Sequence, residues 1–163
     1  MIKNVILIIA ILFLLGCSEK TKQKKSNATY KRVDSLIKLS RKTSFSDSIR
    51  AVFLSKANTL GDKLKNDSLK IRFLRKTAYT SFILNDFKEY GSRSKQLLKL
   101  SLKRKDTFSL TRAYSFLGYF YQFDYKIDSA YYFYNKALYL FKLKKDEINE
   151  GRMLLSMATL QEN

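Results

Sequence analysis

Histidine, proline and tryptophan are absent from this 163-residue chain, cysteine occurs once and glycine only five times. Without histidine, and with one thiol, the usual general base, nucleophile with its base, and zinc ligand set are all missing. No glycine-rich loop is available to cradle a phosphate. A metal would have to be held by carboxylates alone, and the 14 acids are dispersed with no ligand spacing. The chain therefore reads as a non-enzyme, with no catalytic residue, no cofactor and no metal. A single cysteine forms no internal disulfide. Few glycines and no proline also leave little hairpin punctuation, and no stretch alternates as a strand.

What is present is helical periodicity behind capping residues. Ser46-Asp47, Asp67-Ser68, Asn85-Asp86, Asp106-Thr107 and Asp128-Ser129 stand before apolar-periodic runs, and a side-chain oxygen there satisfies an orphan N–H of the first turn. These starts predict helices near 30–43, 47–64, 68–83, 87–104, 107–123, 128–144 and 147–161, an all-α fold of antiparallel helix pairs.

The helices repeat. Ala78, Gly118 and Ala158 recur at one fixed interval, as do Leu74, Tyr114 and Leu154, and at the same interval Leu97 aligns with Ala137 and Leu100 with Leu140. Asp106 and Asp146 fall at matching helix starts. Within residues 111–141, Tyr114, Leu117, Gly118 and Tyr121 precede Ala130, Tyr134 and Ala137, a spacing that resembles the tetratricopeptide (TPR) repeat. Large residues on two antiparallel helices must interdigitate while small ones sit at the closest approach, so Gly118 and Ala130 are expected to meet. Tyrosine replaces the family's first tryptophan and the terminal proline is missing. The family period is about 34 residues and the period here is about 40, so the extra length is assigned after Ala137, to a longer second helix and turn. The resemblance implies a short solenoid over residues 30–163. Lys38 stands at the first unit's small position, making that unit degenerate or a cap.

The amino terminus is of another kind. MIKN precedes eleven apolar residues, Val5 to Leu15, and then Gly16 and Cys17. Eleven residues span about 16 Å of helix against a hydrocarbon core of about 30 Å, too short for a comfortable span. A charged start, short apolar region and small residue fit an export signal, and Leu14-Leu15-Gly16-Cys17 resembles a bacterial lipoprotein lipobox. The resemblance implies removal of residues 1–16, acylation of Cys17, and a lipid anchor in the cell envelope. Ser18 in place of aspartate favours the periplasmic face of the outer membrane. Residues 17–29 are polar and lysine-rich and read as a flexible basic tether, whose lysines either hold it near anionic headgroups or are simply solvated.

With 32 Lys and Arg against 14 Asp and Glu, the formal charge is +18. No nucleic-acid module accompanies it, and export argues against nucleic acid as a partner. The excess either reflects solvated lysine-rich faces or points to acidic partners: peptide carboxylates, anionic lipid or anionic polysaccharide. Lys95, Lys99 and Lys103 form a like-charged ridge that must face water or a negative partner. Arg32, Arg72, Arg112 and Arg152 recur at the same interval as the small residues. The first helix of each TPR unit lines a concave groove, and by that resemblance Arg72, Arg112 and Arg152, with Arg75, Tyr79, Phe82, Ser115, Tyr119 and Gln122, match groove positions. There guanidinium forks would take carboxylates bidentately and aromatic faces would grip an extended chain. The other reading is that each arginine pairs with a neighbouring acid or a helix carboxyl end. The run Tyr131 to Tyr134 must cover several helix faces, leaving some rings exposed.

The last segment, GRMLLSMATLQEN, supplies a first helix without a partner, so Leu154, Leu155, Met157, Ala158 and Leu160 lack full covering. It caps the stack, docks on a partner or a second copy, or continues in a longer chain. Two functional readings follow. One is a lipid-anchored TPR adaptor that binds an acidic or extended peptide. The alternative is the truncated sensory region of a TPR-containing kinase or transcription factor. Glycan uptake is a third, and the missing tryptophan argues against it.

Overall fold

The computed structural model describes residues 23–160, and within them the fold is all-α with no strand. Helix α1 covers residues 23–40. It is followed by α2 (Asp47–Gly61), α3 (Asp67–Ile83), α4 (Phe87–Arg104), α5 (Thr107–Phe123), α6 (Ile127–Leu143) and α7 (Glu147–Ala158). The lipobox with Cys17, the first part of the tether and Gln161 to Asn163 lie outside the described residues. Residues 23–29, read as tether, are helical. Gln23 bonds Asn27 and the Thr29 hydroxyl donates to the Lys25 carbonyl, local i to i+4 bonds that need no core.

Most helix starts are closed by a side chain. Ser46, Asn66, Asp86, Asp106 and Asp146 accept from the backbone N–H three residues on. Two expected caps are shifted. Asn66, not Asp67, caps α3, and α6 starts behind Lys126, which makes no side-chain cap bond, leaving Asp128 in the first turn. The turns decide this. Asn85, Lys105, Tyr125 and Lys145, evenly spaced along the chain, all take φ between 52° and 56°. After each, the next N–H reaches back five residues: Asp86 to Ser81, Asp106 to Ser101, Lys126 to Tyr121 and Asp146 to Phe141, at 2.9 to 3.1 Å. One left-handed residue thus ends a helix and the following residue starts the next one. The left-handed backbone costs a non-glycine residue about 1 kcal/mol, which the turn's hydrogen bonds offset.

Consecutive helices pack against one another from α2 to α7, and α3 also touches α5. Longer-range bonds sort the helices into two layers. The odd helices are joined by Arg41 to Thr80 and by Ser156 to Tyr119, while the even ones are joined by Asn58 to Glu89 and Asp62 to Arg93. Between the layers lies the core. Val33, Ile37, Phe73, Leu74 and Leu97 fill one end, and Tyr134, Ala137, Phe141, Met153 and Met157 the other.

Glycine marks the closest crossings. A Cβ on Gly61 would fall 2.2 Å from the Phe73 ring, on Gly91 2.3 Å from Phe120, and on Gly118 2.3 Å from Tyr134. The atoms closest to a Cβ on Gly118 belong to the Tyr134 ring, and Ala130, the small residue expected to meet Gly118, is buried one turn before Tyr134 on α6. A tyrosine ring fills the space that Gly118 leaves. Met153 and Met157 on α7 and Leu160 just past it are buried while Leu154, Leu155 and Ala158 are exposed. Leu154 and Ala158, aligned with Leu74 and Ala78 in the repeat register, are left uncovered among the described residues.

Candidate functional site

The odd helices line a cavity of about 790 Å³, walled by Arg41 just past α1, by Arg75, Lys76, Tyr79 and Phe82 on α3, by Phe108, Arg112, Ser115 and Tyr119 on α5, and by Asn149 and Arg152 on α7. The wall carries five cations and no carboxylate. Its middle is aromatic: Phe82 lies 6.2 Å from Tyr119 and 6.0 Å from Phe123, centroid to centroid. Hydrogen bonds tie α1 to α3 and α5 to α7, but α3 and α5 meet here through rings and cations. That seam leaves room for the groove.

The four arginines are held by π faces and neutral oxygens, while Lys76 is paired with Asp34 at the rim. Arg41 donates to the Thr80 hydroxyl at 2.6 Å and the Lys76 carbonyl at 2.7 Å, and lies over the Tyr79 ring. Arg75 sits 4.7 Å above the Phe108 centroid and has no hydrogen bond or ion pair among the described residues. Arg112 lies between the Phe108 and Phe141 rings. Arg112 and Arg152 both reach Asn149 Oδ1, at 3.4 Å each, so one neutral carbonyl serves two guanidiniums. Burial pulls the Arg41 and Arg75 pKa values down. For Arg75 the field of Asp106 opposes that, and Arg112 and Arg72 add to it. Carboxylates occur at the rim. Asp34 is bound to Lys76. Asp146 is held below the usual carboxylate range by bonds from Asn149 first and then by Arg112 and Arg152.

Seven of the nine residues expected in a groove are brought together: Arg75, Tyr79, Phe82, Arg112, Ser115, Tyr119 and Arg152. Two are not. Gln122 is held between layers, accepting from the Tyr134 hydroxyl at 2.5 Å and donating to Thr159 at 3.3 Å, because α7 covers that end of α5. Arg72 faces a smaller cavity with Arg75 and Arg104 and lies over the Tyr30 ring. Arg32 is exposed on α1 and does not line the groove. The arginine ladder is therefore split, and only Arg112 and Arg152 share a site. None of Arg32, Arg72, Arg75, Arg112 and Arg152 makes an ion pair among the described residues, so pairing with neighbouring acids does not account for them.

Sequence reasoning missed Arg41, Lys76, Phe108 and Asn149. Arg41 and Lys76 lie off the repeat register. Phe108 stands four residues before Arg112 on α5, and their proximity follows from that spacing. Among the described residues no group of three or more cysteines and carboxylates could hold a metal ion. No helix there is long and apolar enough to cross a membrane.

The chain is thus an all-α protein of consecutively packed helices with a basic, aromatic-lined groove on one layer. No protein-family model matches it, and no curated protein does.

Proposed function

We propose that this chain is a TPR-type helical scaffold, anchored by lipid at Cys17 in a bacterial cell envelope, that binds an acidic, extended peptide of a partner protein in the groove of its odd helices. The observation that carries the reading is a groove with five cations, aromatic walls and no carboxylate of its own. Leaving the half-buried guanidiniums of Arg41, Arg75 and Arg112 without an anion costs free energy that a bound carboxylate would offset. A peptide carboxylate supplies the missing acceptors. The placement of Arg112 and Arg152 across α5 and α7 suits two acids on one extended chain, and rings such as Tyr79 and Phe108 suit apolar residues between them. The left-handed turn residues recur twice in each repeat interval, which supports a helix-pair unit stacked as a short solenoid.

The test uses the full chain and a labelled peptide alternating glutamate and tyrosine. Binding should weaken with salt and fall at least tenfold in the Arg112→Ala, Arg152→Ala variant, with helicity unchanged by circular dichroism. Equal binding by the folded variant removes the groove from the reading. Cys17→Ser should move the protein out of the membrane fraction and abolish labelling by an acyl probe; continued acyl labelling rejects the anchor.

A further inference from the structure

The other layer carries a second charged surface, of a different chemistry. On α6, Tyr132, Lys136 and Tyr139 lie within about 60° of one another around the helix axis, one exposed stripe, with the two tyrosines 55% and 63% exposed. On α4, Lys95 and Lys99 form the corresponding stripe, and Lys99 stands one repeat before Tyr139. A continuous set of rings joins them. Lys95 Nζ lies 5.1 Å from the Phe120 centroid and 5.8 Å from that of Tyr121; Tyr121 stacks on Phe133 at 5.4 Å and 4°; Phe133 meets Tyr132 at 5.1 Å; and Lys136 Nζ lies 5.4 Å above Tyr132. Acids are scarce: α4 has only Glu89, which is bound to Arg93 and Asn58, and α6 has only Asp128.

We infer that this α4 and α6 face lies on an anionic lipid bilayer, lysines on the headgroups and tyrosines at the level of the interface. The choice of occupant follows from the residue types. The exposed cations beside the rings are lysines, compact charges on flexible stems that suit a laterally mobile surface with no fixed acceptor geometry. Guanidinium forks, which suit defined carboxylates, lie in the groove on the opposite layer. Hydroxyl-tipped rings with an apolar body settle at a membrane interface, as do the lysine stems that snorkel beside them. Leu102 and Leu143, exposed along the same two stripes, add apolar area at that depth. Lying on this face leaves the groove of the odd helices open to its ligand.

The inference stands apart from the lipid anchor, and a position-specific readout keeps the two distinct. The chain has no tryptophan, so Tyr139→Trp and Tyr79→Trp each place a single indole, one on this face and one in the groove. The full-length variants are mixed with vesicles of phosphatidylglycerol and phosphatidylcholine carrying brominated acyl chains. Tyr139→Trp emission should be quenched at least twofold and Tyr79→Trp emission should not. Adding Lys95→Gln, Lys99→Gln and Lys136→Gln to Tyr139→Trp should weaken the contact on the order of 100-fold and abolish the quenching, as should phosphatidylcholine alone. These exposed positions should leave helicity unchanged. An anchored chain that stands off the bilayer leaves Tyr139→Trp unquenched and overturns the inference, and so does equal quenching at both positions. Binding of a soluble polyanion to this face without quenching overturns it as well.

Discussion

Arg93 and Arg112 lie on opposite layers and are treated in opposite ways. On the even layer Arg93 is only 5% exposed and fully answered: its guanidinium grips both oxygens of Asp62 at the end of α2, one at 2.9 Å, and Nε donates to Glu89 at 2.7 Å. Burial alone would lower its pKa, but these bonds outweigh burial and raise it. On the odd layer Arg112, half-buried, meets two rings and a shared asparagine oxygen. One arginine is a structural tie between helices and the other is a cation held without an anion. The residue type is the same; only the acids brought to it by packing differ, and that difference separates a structural arginine from a candidate binding one.

Removing the tie should have the largest effect. Arg93→Met leaves Asp62 and Glu89 facing each other without their shared cation and should cost about 3 kcal/mol in urea unfolding. A cost below about 1 kcal/mol would mean that the even layer does not depend on the pair. Next, Gly118→Ala drives a methyl into the Tyr134 ring behind the groove wall and should cost about 2 kcal/mol, displacing α5 and weakening peptide binding with it. Gly151, with nothing within 4 Å of its Cβ position, should instead accept alanine with a gain of about 0.5 to 1 kcal/mol.

Acid should weaken the tie through Asp62. Burial works to raise the Asp62 pKa, but bonds from Arg93 and Lys70 hold it below its ordinary value of 3.8. Its contribution is therefore complete above that value and is lost as pH falls through the lower, folded pKa. Urea midpoints of the native chain should drop between about pH 5 and pH 2, and those of Asp62→Asn should drop less. The smallest effect belongs to the groove: Arg112→Ala with Arg152→Ala should change stability by no more than about 0.5 kcal/mol, because no ion pair is broken. A loss comparable to that of Arg93→Met would show the groove arginines to be structural too, and the contrast would collapse.

The helices were legible because caps and periodicity are local. Asp86, Asp106 and Asp146 announce their helices, and α4 and α5 fall on their expected bounds. The start of α6 falls one residue before its expected bound, but its cap was misassigned to Asp128, since no side-chain cap marks it and the decisive feature is the left-handed Tyr125. Gly118 was recognised as a small position, but its partner, Tyr134, depends on the rotation of two helices about their axes. In the groove, Arg75, Tyr79, Phe82, Arg112, Ser115, Tyr119 and Arg152 were expected from the repeat resemblance, which assigns the groove to the first helix of each unit. Arg41 and Lys76 were not, because they enter from the end of α1 and an edge of α3, and Gln122 was lost to the layer contact beneath α7.

The sequence alone determined the all-α character and, to within a residue, the bounds of α3 to α6, because each rests on hydrogen bonds and dihedral choices between near neighbours in the chain; α1, expected over 30–43, instead covers 23–40. Which arginines find acids beyond their own helix was decided only by the tertiary structure. Asp62 and Arg93 are 31 residues apart in the chain, and a Coulombic pair exists only where packing closes that distance. The same closure left Arg75, Arg112 and Arg152 around a groove with no acid in its wall.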